Sequence, residues 1–263
     1  NLGRSVANAH TTFKIIEVLF MFPCTPLVVA LTEKIIPGED QKVHHNELQY
    51  ITEISLKSPA TMIPQAKNEL KRMADMAQEN LDRSIKGFLN QSDEYLNKIY
   101  HREEDINNVS HAITDYLVKS NQLSLPLADQ KILGSMFYVV NDIERIGDHA
   151  ENFADYTKTE LKHNTGLTGD AKEEIKKMYE AVSKLLKLSL ESFMAQDGVN
   201  TQEDKLAEIA ALEASIDKME RRYQKHHIKR LAKGDCEPRA GLLFSDMLSE
   251  LERIADHSVN IAY

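Results

Sequence analysis

Two pairs of carboxylates in this sequence have a spacing that could bind a cation. Glu144 is followed four residues later by Asp148, and Glu252 is followed at the same interval by Asp256. In an α-helix, residues four apart lie one turn apart on nearly the same face, so each pair would project together. Two like charges at this spacing repel by about 0.2–0.5 kcal/mol. A hard cation such as Mg²⁺, Mn²⁺ or iron between them would offset that repulsion.

A solvated acidic helix face is the ordinary explanation of a single pair of this kind. A repetition in the sequence argues against this explanation. The string ERI-x-DH-x-x-N runs from Glu144 to Asn152 and again from Glu252 to Asn260. A merely solvated face has no reason to be copied so closely. The repetition therefore favours a site in each copy that binds a metal or bridges an anion.

Further oxygen-bearing side chains accompany the two pairs at equivalent positions of the two copies. The predicted metal ligands are Glu252, Asp256, Glu213, Asp217, Glu250, Glu144, Asp148, Asp142 and Glu103. Asn152 and Asn260, one turn beyond the pairs, could add carbonyl oxygens. The first copy has Asn107 where the second has Asp217, so its site is less anionic. We therefore expect the second site to bind metal better and the first to be empty.

The histidines are weaker candidates than the acids. His149 and His257 directly follow the aspartates, and adjacent helical residues point about 100° apart, so a core or interface role is favoured over ligation. The pair at 226–227 lies in a basic stretch, residues 221–233. That stretch could meet phosphate, acidic lipid or an acidic partner, although a basic helix face is usually only solvated.

No pattern in the sequence predicts catalysis. HExxH, GxxxxGK[ST] and GxSxG do not occur, and the ExxH that ends at His163 has no counterpart in the second copy. A metalloenzyme would also need an open coordination position beside a general base, and the sequence indicates neither. We therefore expect no enzyme activity.

The elements that must position these residues are long helices. Apolar residues recur at three- and four-residue steps, as in Met62, Ala66, Leu70 and Met73. The pattern predicts helices at about 59–90, 93–120, 127–163, 170–196, 202–233 and 237–263, with no strand. The predicted fold class is all-α: two tandem three-helix bundles of six long antiparallel helices, with a first repeat at 59–163 and a second at 164–263.

Composition narrows the range of partners. The formal net charge is −9 and the two cysteines, Cys24 and Cys236, form no ligand spacing. Nucleic-acid binding normally requires an excess of Lys and Arg, so a nucleic-acid partner is not expected. A cation is the more natural ligand for this chain.

The N-terminal part differs in character from the rest. Residues 18–32 carry no charge, but this run is shorter than the roughly 20 apolar residues of a membrane helix, and Pro23 and Pro26 interrupt it. A membrane span and a buried or partner-covered segment are equally compatible with it. Residues 37–58 contain Pro-Gly and mixed charge, which indicates a linker.

Over residues 59–263 the chain resembles the PhoU family, through the two ExxxD pairs inside ERIxDHxxN and the tandem of three-helix units. The resemblance implies a PhoU-like fold and multinuclear metal sites, with iron or zinc in some members and Mg²⁺ or Mn²⁺ in others. It also implies regulation of phosphate transport rather than catalysis.

Residues 4–37, which contain Ala-His-Thr-x-Phe before the apolar run, resemble the last membrane segment of bacterial sodium/phosphate cotransporters. This resemblance implies that residues 1–36 are the remnant of a transmembrane segment and that 59–263 form a tail on the cytoplasmic side of the inner cell membrane. The partner would then be the transporter domain of the same polypeptide. The alternative is a free-standing PhoU-like adaptor that binds a separate transporter or a sensor kinase. A homodimer is left open as well.

Overall fold

The computed structural model describes residues 10–15, 17, 19, 22, 48–52, 59–163, 166–195 and 199–263. The chain divides into an N-terminal segment, Asn1–His44, and a helical body, His45–Tyr263. The described residues of the segment are helical, and Phe13, Leu19 and Phe22 are exposed. Most of the predicted membrane segment and linker lies outside the described residues. Among those that are described, no helix has both the length and the apolar character needed to cross a bilayer.

The described part of the body contains six helices and no strand. They are α1 (Pro59–Leu89), α2 (Leu96–Asn121), α3 (Leu127–His163), α4 (Gly169–Met194), α5 (Val199–Lys233) and α6 (Pro238–Ala262). Every predicted helix is present, with its ends displaced by a few residues at most. The predicted all-α class is confirmed.

The end of α5 shows how local sequence sets the course of the chain. Gly234 has a φ of 75°, a left-handed conformation that glycine adopts without strain. The Gly234 amide donates to the Leu231 carbonyl at 3.1 Å and the Asp235 amide to the Arg230 carbonyl at 3.0 Å, the two bonds of a Schellman cap. Pro238 then occupies the first turn of α6. The chain therefore reverses within a few residues, and α6 packs back on α5.

The third helix of each repeat lies at the centre of the body. Helix α3 packs on α1 and α2, α6 packs on α4 and α5, and the two third helices pack on each other, with α1 also contacting α4. The apolar stripe of α3 that includes Ile143, Ile146 and Phe153 is buried at 1% exposure or less, as are Ile254 and Phe244 of α6. One continuous core therefore runs through both repeats.

Two histidine–carboxylate contacts join the third helices. The Nδ1 atom of His149 on α3 contacts the Glu250 carboxylate on α6. In the opposite direction, the Nδ1 atom of His257 on α6 lies 2.8 Å from the Asp142 carboxylate on α3. The centroids of the two imidazole rings are 5.6 Å apart. The predicted interface role of both histidines is what the structure shows.

Asparagines repeat the same symmetry. The Asn152 amide donates to Glu250, and the Asn260 amide donates to Asp142, each at 3.2 Å. We call the six residues of these contacts (Asp142, His149, Asn152, Glu250, His257 and Asn260) the clasp. Burial opposes ionisation of Glu250, but hydrogen bonds from His149 and Asn152 outweigh it, so the pKa of Glu250 lies below its ordinary value. The clasp therefore holds a charged carboxylate between the repeats.

The clasp predicts that His149→Ala destabilises the protein. It would leave the Glu250 carboxylate, 12% exposed, without its closest partner, at a cost of about 1–3 kcal/mol in the free energy of unfolding. Urea denaturation followed by circular dichroism measures the loss.

His257→Ala is the matched control on the other side. Its contact with Asp142 is more open, because the His257 side chain is 25% exposed against 9% for His149. We expect a smaller loss of stability, since water can replace the lost partner. If His149→Ala left the unfolding midpoint unchanged, the clasp would have no role in stability.

Candidate functional site

Four carboxylates of the first repeat face one another across α2 and α3. Glu103 of α2 interacts electrostatically with Asp148, Glu151 and Glu144 of α3, in that order of strength. We call these four residues the first acidic cluster. The structure therefore brings Glu103, Glu144 and Asp148 together, as the sequence predicts, and adds Glu151.

Glu103 is the unusual member of the cluster. Only 3% of the residue is exposed, and neither carboxylate oxygen accepts a hydrogen bond from the described residues. Burial, reinforced by the charges of Asp148, Glu151 and Glu144, raises the pKa of Glu103 to about 8 from an ordinary value of 4.5. A buried carboxyl group without a hydrogen-bond partner is normally either protonated or bound to a cation, so Glu103 is the strongest sign of a cation site in the described chain.

A glycine opposite Glu103 makes its burial feasible. A Cβ atom at Gly147 of α3 would come within 2.7 Å of the Glu103 Oε2 atom. The equivalent residue of the second repeat is Ala255, which has that methyl group. Glu213, the counterpart of Glu103, is only half-buried. Gly147 therefore lets the carboxylate of the first repeat lie against the backbone of α3.

Little positive charge offsets the first cluster. The Arg145 guanidinium lies 3.2 Å from Asp148 and 3.8 Å from Glu144, but the arginine side chain is 61% exposed. Such surface ion pairs are worth little. Burial and the charge of Asp148 raise the pKa of Glu144 despite this arginine. Burial and the charges of Asp155 and Asp148 likewise raise the pKa of Glu151.

The second repeat contains a second acidic cluster between α5 and α6. Its members are Glu213, Asp217 and Glu220 of α5 and Glu252 and Asp256 of α6. Burial and the charges of Asp256 and Asp217 raise the pKa of Glu213, and burial followed by Asp256, Glu220 and Asp217 raises that of Glu252. Arg221 pairs with Asp217 at 2.9 Å. This cluster is more open than the first, since Asp256 is exposed.

Asp142 and Glu250 do not extend the acidic clusters, contrary to the expectation from sequence. Their carboxylates contact His257 and His149 in the clasp. The reason is helical geometry: residues two apart point about 200° apart, so Asp142 and Glu144 project from opposite faces of α3. Asn152 and Asn260 likewise donate to the clasp carboxylates. Equivalent positions in the two repeats therefore need not share a helix face with the acidic pairs.

Glu151 and Glu220 are the cluster members that the sequence reasoning missed. Glu151 follows Asp148 by three residues and Glu220 follows Asp217 by three, a spacing that shares a helix face. That signal was present in the sequence. Neither residue is repeated in the other copy, where Val259 and Ser110 take the equivalent positions, so the repetition between the copies does not indicate them.

The donor set suits a hard cation, although the side chains do not form a ready-made cage. Carboxylate oxygens are the ligands that Mg²⁺, Mn²⁺ and iron favour. Across the described residues, no three Asp, Glu, His or Cys side chains converge closely enough to hold a metal ion. The carboxylates would therefore have to turn inward upon binding. The predicted ranking of the two sites stays a prediction, while the burial of Glu103 favours the first cluster.

Fold and site together define a class of protein: a tandem of two three-helix bundles, each with an acidic cluster between its second and third helices. A model of the PhoU domain matches residues 70–157 and 175–263. The chain belongs to the PhoU domain family. The resemblance of residues 59–263 to this family is thereby confirmed, whereas the family model does not match residues 4–37.

Curated relatives and solved structures agree with this assignment. The phosphate-specific transport system accessory protein PhoU homolog 1 of Thermotoga maritima is 20% identical over 74% of this chain and 82% of its own length. The PhoU homolog of Clostridium acetobutylicum is 22% identical over 74% and 86%. The PhoU crystal structure from Pseudomonas aeruginosa has a TM-score of 0.68 at 20% identity, over 77% of this chain and 94% of that one. PhoU from Streptococcus pneumoniae has a TM-score of 0.67, also at 20% identity, over 78% and 93%.

The buried Glu103 predicts a pH dependence of stability. Between its ordinary pKa of 4.5 and its raised pKa of about 8, the folded state binds more protons than the unfolded state. The free energy of unfolding therefore falls as the pH rises through this window and levels off above it. Glu103→Gln should flatten most of that slope, as measured by urea denaturation at several pH values with a chelator present.

Gly147→Ala tests the same point without removing the carboxylate. The added methyl group would displace the flexible end of Glu103 towards water, so this variant should also lose the slope. Ala255→Gly in the second repeat is the matched control and should keep it. An unchanged slope in both Glu103→Gln and Gly147→Ala would contradict the assignment of the raised pKa to Glu103.

Proposed function

We propose that this chain regulates phosphate transport as a PhoU-type accessory protein that binds a separate transporter or phosphate-signalling protein. The family match over both repeats supports the proposal. So do the relatives from Thermotoga maritima and Clostridium acetobutylicum, whose names describe accessory proteins of a phosphate-specific transport system. The role is regulatory rather than enzymatic.

Cation binding at the acidic clusters is the second part of the proposal. The observation that carries it is Glu103, a buried carboxylate with no hydrogen-bond partner among the described residues and three more carboxylates facing it. Glu103, Glu144, Asp148 and Glu151 would hold the ion in the first repeat. Glu213, Asp217, Glu252 and Asp256 would do so in the second. Oxygen ligands favour magnesium, manganese or iron, with zinc as a weaker fit.

Binding at these positions would tie two helices together. In the first cluster Glu103 belongs to α2 while its three partners belong to α3. Once Glu103 loses its proton, above its raised pKa, the four negative charges repel one another and push the helices apart. A bound positive charge supplies attraction to both helices at once. The position of α2, the outer helix of the repeat, would therefore depend on occupancy. This dependence gives a regulator a means of changing its surface.

A second candidate is a regulatory tail of a sodium/phosphate cotransporter. The observation that favours it is the resemblance of residues 4–37 to the last membrane segment of such transporters. In this case the partner is the transporter domain of the same polypeptide, and the helical body lies at the cytoplasmic face of the inner membrane. Sequencing the full coding region decides between the two, since several hydrophobic spans ahead of residue 1 would select this candidate.

Cation binding is tested by stability and metal content. Added to the chelator-treated chain at about one hundred times its dissociation constant, Mn²⁺ or Mg²⁺ should raise the free energy of unfolding by about 2.7 kcal/mol. The double variant Glu144→Ala/Asp148→Ala should lose the gain from the first site. Elemental analysis of protein purified without chelators gives the native metal.

Two further variants distinguish cation binding at the acidic clusters from the effect of acidic residues elsewhere on the surface. Glu252→Ala/Asp256→Ala removes the second pair, and comparison with the first variant ranks the two clusters. Glu104→Ala/Asp105→Ala removes two exposed acids of α2 and should leave the cation effect intact. Equal metal content in wild type and in both cluster variants would sink the cation proposal.

The regulatory role is tested in cells that lack the gene. We expect the response of phosphate uptake to external phosphate to change, because the transporter has lost its regulator. Radiolabelled phosphate uptake in phosphate-rich and phosphate-poor medium measures the response. The wild-type gene should restore it and the Glu144→Ala/Asp148→Ala variant should restore it only in part. A normal response in the deletion strain would reject the role in phosphate transport.

A further inference from the structure

One face of α5 carries a row of basic residues. Arg222, Lys225, Lys229 and Lys233 follow one another at three- and four-residue steps, so they project from the same side of the helix. All four are exposed. The opposite side of α5 packs inward through Tyr223 and His227, both buried. We call this row the basic stripe.

The lysines of the stripe differ from neighbouring arginines in lacking acidic partners. Arg221 pairs with Asp217 at 2.9 Å, and Arg230 pairs with Glu174 at 2.8 Å. Within the described residues, the stripe lysines at 225, 229 and 233 form no ion pair, nor does Arg239 at the start of α6. No ion pair therefore neutralises these charges, although Lys229 lines the same pocket as Asp170, Glu173 and Glu174 of α4.

An apolar side chain is exposed beside the stripe. Ile228 follows Lys225 by three residues and is 62% exposed. Leu242 is 66% exposed as well, but it belongs to α6, whose Gly241 packs on His227 and Leu231 on the side of α5 away from the stripe. Exposed apolar groups within a basic surface are typical of helices that lie on a membrane.

The first repeat has no such surface. At the equivalent positions it has Ala112, Asp115 and Lys119 on α2 and Leu123 just after α2, one basic residue in place of four. Val118 takes the place of Ile228 and is also exposed. The apolar residue is thus shared by both repeats, whereas the positive charge belongs to the second alone. Fold stability does not require the stripe, since the first repeat folds without it.

The charge of this surface is opposite to that of the whole chain. The stripe and Arg239 supply five positive charges, from which Asp235 and Glu237 of the adjoining turn remove two, whereas the chain has a net charge of −9. A positive patch on a protein of negative net charge orients the protein so that this patch faces an anionic partner. Each basic residue near an anionic leaflet strengthens binding about fivefold.

We propose that the basic stripe, with Ile228, is a docking surface for the anionic phospholipid headgroups of a membrane. The exposed side chain of Ile228 favours a bilayer over an acidic protein, because it projects from a convex helix face and would enter the headgroup region. The body would then lie against the membrane through its second repeat. The docking surface is separate from the acidic clusters and works whether or not they bind metal.

Vesicle co-sedimentation of the full chain tests the proposal. Wild type should bind vesicles of equal parts phosphatidylglycerol and phosphatidylcholine, and should bind less at high salt because the attraction is screened. Lys225→Gln/Lys229→Gln should weaken binding about 25-fold, since two basic contacts are lost. Ile228→Asn should weaken it in addition. All three side chains are exposed, so the unfolding midpoint should stay unchanged.

Pure phosphatidylcholine vesicles and a matched variant serve as controls. The uncharged residues 18–32 would bind neutral and anionic vesicles alike, so the comparison isolates the contribution of charge. Lys119→Gln, at the equivalent of Lys229 in the first repeat, should bind like wild type. The proposal is overturned if wild type does not bind anionic vesicles, if it binds neutral ones equally well, or if Lys225→Gln/Lys229→Gln keeps wild-type affinity. Failure here leaves the regulatory proposal untouched.

Discussion

The rest of the structure depends on the reciprocal contact between the two third helices. Asp142 and His149 lie seven residues apart, two turns along one face of α3, and that face meets α6. Once it is held there, Glu144 and Asp148 must point roughly the opposite way, towards α2. The clasp therefore sets the rotation of each third helix about its own axis. This rotation is what presents the acidic residues to the second helix of the repeat rather than to the core.

The two repeats share the same helix packing but differ in their functional surfaces. In the first, Gly147 allows Glu103 to sink against α3 and become a buried acid. In the second, Ala255 takes that space, the acids stay half-exposed, and the outer helix carries the basic stripe instead. Duplication preserved the inward-facing residues, which fix the packing, and left the outer helices free to diverge. The outer helices are accordingly where a cation and a membrane surface would act.

Sequence periodicity predicted the six helices, the repeat and the pairing of Glu144 with Asp148, because each of these is a local property of one helix or of two similar strings. The alignment of the two copies assigned Asp142 and Glu250 to the acidic clusters wrongly, since equivalence between copies does not tell which helix face a residue occupies. It also could not foresee the burial of Glu103, which is decided by a missing methyl group on another helix, 44 residues along the chain. Contacts of that kind depend on tertiary packing.

The clasp has one more property, which concerns origins. Each side contributes an acid, a histidine and an asparagine, and each side binds the same three groups in return. An interface in which both sides contribute the same contacts is called isologous, and it is the kind found in two-fold symmetric homodimers. Two separate copies of a single three-helix chain could therefore have paired through it before fusion. The loop between α3 and α4 would then be the covalent trace of an ancestral gene duplication.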